Sequence, residues 1–109
     1  MILTALVAMA AMTTTPECGK PRANGPWVTA DDYPADARRR RQTGDVEFEL
    51  ALSAEGCPVG CTVVTSSGVP SLDARTCELM LARARFKPKR DESGTAVPAT
   101  WRHVFHWRL

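Results

Sequence analysis

Four cysteines, two histidines, the serine pair Ser66-Ser67 and the aspartate pair Asp31-Asp32 are the residues whose types could do chemistry. Zinc held by cysteine normally uses two close pairs with short spacers. Here only Cys57 and Cys61 are close, with Cys18 and Cys77 far from them and from each other. His103 and His106 fall in a strand-like stretch, where positions three apart point to opposite faces and cannot chelate one ion. Ser66 and Ser67 lie in a turn-like segment with no motif that places a base beside them, so a nucleophile, a base and an orienting group are not assembled. A thiol mechanism at Cys57 or Cys61 would require a depressed pKa. The glycines never cluster into a phosphate cradle, and Asp31-Asp32 reads as charge at a helix start. The expectation is a protein that is not an enzyme, with no cofactor, no metal and no small-molecule substrate.

The bulk numbers narrow the classes further. A chain of 109 residues with 44% hydrophobic and 24% charged residues has material for one core. Its formal net charge of +2 is too slight to imply a nucleic-acid or membrane partner. The run Arg38-Arg39-Arg40-Arg41 does not change this, because four consecutive side chains on a short helix make no single basic stripe. Residues 1–12 read MILTALVAMAAM, an uncharged apolar run. That is shorter than the roughly 20 residues needed to cross a bilayer and suits a secretory leader, with Ala8-Met9-Ala10 at a cleavage position. The expected organisation is a leader over 1–15, an extended lead-in over 16–29 and a domain over 30–109, exported to the periplasm without a spanning helix. Four cysteines in so short a chain suit an oxidising compartment.

The elements that would position these residues follow from periodicity. Pro34 opens a short helix over 35–42 that ends near Gly44, with Asp32 ahead of it as a cap. In 45–52, Val46, Phe48, Leu50 and Leu52 alternate with Asp45, Glu47 and Glu49, which predicts a strand with one wet face. A turn at Ala54-Glu55-Gly56 leads to its antiparallel partner around VGCTVVT. Ser71 is the expected N-cap of an amphipathic helix over 72–86, with Arg75, Glu78, Arg83 and Arg85 available to water. Residues 89–98 read as a polar loop. In 100–109, Trp101, His103, Phe105, Trp107 and Leu109 share one face, and Val104 on the other suggests a bulge. The economical fold is α+β: a three-stranded antiparallel sheet with two helices packed on one face. Cys61 on the hairpin and Cys77 on the apolar side of the long helix could then meet. Closing that loop would stabilise the fold by roughly 3 kcal/mol in the chain-entropy model. Cys18 and Cys57 are left either paired with each other or free.

Tyr33-Pro34, Ala37, Gly44, Val46, Gly56, Ser66-Ser67-Gly68, Leu72-Asp73 and Arg83-Ala84-Arg85-Phe86-Lys87-Pro88, in this order over about residues 27–109, resemble the C-terminal domain of TonB-type energy transducers. The resemblance implies the same fold and a binding function. Such domains grip the TonB box, a short N-terminal segment of an outer-membrane transporter, by pairing it with the edge of the last strand. It carries partner-binding roles onto Trp101, Arg102, His103, Val104, Phe105, His106 and Trp107, and onto Ala30, Asp31, Asp32, Tyr33 and Pro34 beside them. Two features depart from the pattern. A full transducer has a membrane-spanning helix and a long Pro-rich stalk, and neither is read here. Pro58 stands where the family usually has an apolar strand residue, so that strand is expected to begin one residue later. The alternative to transporter binding is a structural module that self-associates, possible as a homodimer, through the same open edge.

Overall fold

The computed structural model describes residues 26–109; the leader segment and Cys18 lie outside them. A short 3-10 turn (Ala30–Asp32) precedes α1 (Ala35–Arg39), β1 (Gly44–Leu52), β2 (Pro58–Thr65), α2 (Pro70–Arg83), β3 (Lys89–Arg90), β4 (Ala96–Val97) and β5 (Ala99–Trp107). β1 is the central strand of an antiparallel sheet ordered β2-β1-β5. The alternation in β1 explains its place. Val46, Phe48, Leu50 and Leu52 are all buried, while Asp45, Glu47 and Glu49 keep contact with water. A strand with a full apolar row gains most at the centre of a sheet, where both neighbours and the covering helix exclude water from it.

β5 pairs with β1 over nine unbroken positions, from Gly44 opposite Trp107 to Leu52 opposite Ala99. The bulge expected at Val104 is therefore absent from this pair. Val104 sits opposite Glu47 on the wet face, where a lone, half-buried valine costs little. The register irregularities occur instead between β1 and β2, at Glu47/Phe48 and Ala51/Leu52. The expected start of β2 is also corrected: Pro58 is its first residue, opposite Leu52. The first position of an edge strand tolerates a residue with no N–H.

α2 covers the β1–β2 half of the apolar face, burying Leu72, Thr76, Leu79 and Met80. Its N-cap is Val69, not Ser71, with Pro70 in the first turn, where a missing N–H is harmless. Asp73 then ties down the preceding turn by accepting from the Ser67 N–H at 2.9 Å and its hydroxyl at 2.7 Å. The helix stops at Arg83, short of the expected Phe86, because Phe86 leaves to donate its N–H to the Gly56 carbonyl at 3.2 Å. Gly56 has φ +87°, and a Cβ there would stand 2.1 Å from the Phe86 carbonyl oxygen. The segment expected as a loop after Pro88 contains a small hairpin, β3 against β4.

The expected bridge between hairpin and helix is present. Cys61 and Cys77 are disulfide-bonded with their Cα atoms 5.6 Å apart, pinning α2 onto the sheet. Replacing both by alanine should lower the unfolding free energy by about 3 kcal/mol, read as a shift of the urea midpoint in an otherwise oxidised protein.

α1 ends earlier than expected, and Gly44 is not its terminator. The Gln42 N–H bonds the Ala37 carbonyl at 2.8 Å and the Arg41 N–H bonds that of Arg38 at 3.1 Å. This closure requires a left-handed residue, and Arg41 supplies it at φ 54°. Gly44, already in β1, serves close packing: a Cβ there would meet the Ser67 Cβ at 2.8 Å.

Candidate functional site

The site begins with the free side of β5. Among the described residues β5 pairs only with β1, so along its outer edge every second backbone N–H and C=O is turned away from the sheet. Its register with β1 places Trp101, His103, Phe105 and Trp107 on the apolar face, opposite Leu50, Phe48, Val46 and Gly44. Arg102, Val104 and His106 face the wet side, opposite Glu49, Glu47 and Asp45.

α2 lies over β1 and β2, so the β5 half of the apolar face is covered by single side chains. Trp27 packs on Trp101 with ring centroids 6.2 Å apart and on Phe86 at 5.4 Å. Phe86 meets Trp101 at 4.9 Å, and His103 stacks on Trp101 at 4.8 Å. The cover is incomplete. A concavity of about 280 Å³ opens between Trp27, Val28, Trp101, His103 and Phe105, floored by Phe48 and Met80. A second, of about 250 Å³, follows along Val28, Ala30, Tyr33, Phe105 and Trp107. The two share Val28 and Phe105 and form a channel beside the open edge, apolar in its first part and edged by Thr29, His106 and Arg108 in its second.

Trp107 anchors the end of β5. It is 2% exposed, and its indole N–H donates to the Thr76 hydroxyl at 2.8 Å. That hydroxyl donates in turn to the Leu72 carbonyl at 2.8 Å. A buried indole that finds a partner avoids the desolvation penalty of an unmade bond. Tyr33 packs edge-on against Trp107 at 5.1 Å, and its hydroxyl donates to the Gln42 carbonyl.

The turn before Tyr33 is held by Asp32, which is 6% exposed. Its carboxylate accepts from the Arg83 guanidinium at 2.6 Å, from Arg75 at 3.3 Å, from the Thr29 N–H at 2.8 Å and from the Thr29 hydroxyl at 3.1 Å. Arg75 Nε also donates to the Asp32 carbonyl at 3.0 Å. Arg83 reaches the Trp27 carbonyl at 2.9 Å, so one guanidinium holds both turn and lead-in. The Arg83 bond, aided by Thr29 against the cost of burial, keeps the Asp32 carboxyl well below its ordinary range. Asp32 is therefore no cap for α1: it closes the 3-10 turn with Thr29 and locks that turn to α2.

The residues expected to meet a partner thus divide by position. Ala30 and Asp31 are exposed, Pro34 is half-buried, and Asp32 and Tyr33 are buried beneath them. In β5, Arg102, His103 and His106 are exposed, Trp101, Val104 and Phe105 are half-buried, and Trp107 is buried. Ala30, Tyr33, Phe105, His106 and Trp107 come together around the second concavity. Trp27, Val28 and the pair Arg75 and Arg83 were not foreseen as parts of this region. Trp27 and Val28 belong to no period. The two arginines, eight apart on one helix, carried a usable signal: they share a face that needs a carboxylate opposite it.

The order of elements and the Tyr-Pro turn locked under the last strand agree with a comparison of the sequence against known families. The family described as Gram-negative bacterial TonB protein C-terminal matches residues 29–109. The chain belongs to that family. Among solved structures, this TonB C-terminal family domain is similar to the NMR solution structure of the Helicobacter pylori TonB C-terminal domain. The two share 23% identity with a TM-score of 0.56, over 71% of this chain and 67% of that one. At this identity the likeness speaks for the fold alone. A search of curated proteins found no match. TonB C-terminal domains are not enzymes. In this one, Cys57, Cys61 and Cys77 are all disulfide-bonded, which removes the thiol nucleophile or thiolate ligand they could have offered. No helix among the described residues is long and apolar enough to cross a membrane.

Proposed function

We propose that this domain works in the periplasm and binds the N-terminal TonB-box segment of an outer-membrane transporter. The segment adds to the sheet as a fourth strand at the outer edge of β5, in support of energy-coupled transport. One observation carries this reading: β5 is nine residues long and, among the described residues, paired on one side only, with a channel beside its outer edge. An unpaired edge is a template for an extended peptide, whose main chain supplies affinity while alternate side chains enter adjacent pockets. Ala30 lines the channel where one end of the segment would emerge, with Asp31 in the same turn and Pro34 just after it. Tyr33 and Asp32 act from beneath by holding that turn in place.

Titration calorimetry of the oxidised domain against transporter N-terminal peptides tests the reading. Binding in the micromolar range is expected for a segment of this length. Methylating alternate backbone nitrogens of a binding peptide adds a sharper criterion. The set whose N–H groups face β5 should abolish binding when methylated, and the complementary set should not. A peptide that tolerates both sets equally would rule out strand addition.

A further inference from the structure

The sheet sorts its exposed acidic and basic residues by strand. The carboxylates Asp45, Glu47 and Glu49 stand on the central strand β1, while the wet face of β5 and the residue just after it carry Arg102, His106 and Arg108. Arg102 meets Glu49 at 3.4 Å, and His106 and Arg108 both meet Asp45 at 2.8 Å. Their side chains remain 55%, 60% and 58% exposed, respectively. Ion pairs this exposed hold their partners weakly, so the basic side chains stay available to a strand arriving from the other side. β5 itself has no carboxylate in Ala99–Trp107. On the opposite face of the same edge lie Trp101 and Phe105 and the apolar part of the channel.

We propose that the β5 edge selects an extended segment whose side chains alternate apolar and acidic, and that it rejects a second copy of itself. This inference rests on the strand-addition reading above and specifies its partner. Side chains of the added strand alternate between the two faces, so one set enters the channel and the other lies beside Arg102 and His106. Opposite charges on neighbouring strands attract and like charges repel. Carboxylates on the incoming strand would continue the acid–base sequence already set by β1 and β5. An antiparallel pairing of two β5 edges supplies no such carboxylate. Centred on Val104, it sets Arg102 of one copy against His106 of the other, and no register offers either a carboxylate from β5.

Three synthetic peptides test the proposal: one apolar–acidic alternating segment with Glu at the wet-face positions, and the same segment with Gln or with Lys there. By calorimetry at low salt, the Glu peptide should bind on the order of tenfold more tightly than the Gln peptide, and the Lys peptide more weakly still. The difference should shrink as added salt screens these exposed groups. Exchanging the cross-strand pair, Arg102→Glu with Glu49→Arg, keeps that pair within the sheet while reversing the edge charge, and should reduce the preference for Glu. Equal binding of all three peptides overturns the acidic rule and leaves strand addition standing. Binding of none overturns both. Sedimentation supplies the remaining arm: the domain alone should stay monomeric at micromolar concentration, and a dimer that excess Glu peptide dissociates would overturn the exclusion of a second copy.

Discussion

Asp32→Ala should cost about 3 kcal/mol of stability, although the residue is an aspartate in an outwardly polar turn. Removing its carboxylate leaves the Arg83 and Arg75 guanidiniums facing one another, and the Thr29 N–H loses its acceptor. Breaking a fully buried ion pair typically costs 3–5 kcal/mol. The lower end is expected here because Arg83 and Arg75 are still 28% and 31% exposed and can recover water. Urea unfolding of wild type and variant checks the value, and a loss below about 1 kcal/mol would mean the hub is merely a surface pair. The pH dependence gives a second readout. The folded state holds the Asp32 carboxyl below its ordinary value near 3.8, chiefly through the Arg83 bond. The associated stability is fully present above that value. It is lost progressively as the pH falls below it, because the unfolded chain takes up the proton first. Asp32→Asn should flatten this acid limb. The same variant should weaken peptide binding, since the lead-in over the channel is tied to this hub through Arg83 and the Trp27 carbonyl.

Trp107→Ala is expected to be the larger lesion, about 4 kcal/mol, since it empties a fully packed site between Tyr33, Phe105 and Thr76. The effect should not be confined to stability. Trp107 fixes the end of β5 opposite Gly44, so its loss frees the strand whose outer edge is the binding template. Trp107→Phe separates the two contributions. It keeps most of the ring contact but removes the indole donor to Thr76, and should cost about 1–2 kcal/mol. Thr76 still donates to Leu72 in that variant, so its hydroxyl is not stranded. Urea midpoints order the three proteins, and calorimetry with a binding peptide should show the alanine variant losing affinity far more than the phenylalanine variant. Equal losses for both would assign the effect to the hydrogen bond rather than to packing.

Some of this architecture was legible in residue order. β1 announces itself by strict alternation, and alternation survives folding because it is the pattern a half-buried strand must have. The faces of β5, the amphipathic α2 and the meeting of Cys61 with Cys77 follow from the same two periods once helix is laid on sheet. Local signals were less dependable where they competed with tertiary contacts. Ser71 is a good cap in isolation, yet α2 starts at Pro70. Gly44 is a good terminator, yet Arg41 takes the left-handed position, because Gly44 is needed where Ser67 approaches β1.

By itself, the sequence determined the fold class, the alternating strand β1 and the family to which the chain belongs, because these depend on periodicity and spacing along the chain. Only the tertiary structure decided that Asp32 is an internal anchor, that Trp27 and Val28 close over β5, and that acidic and basic residues occupy different strands of the wet face. Each of these joins residues distant in sequence, Asp32 with Arg83, Trp27 with Trp101 and Asp45 with Arg108. Such pairs have no period of their own, and they form only when the strand order β2-β1-β5 is set and the segment around Trp27 to Asp32 meets α2 and β5.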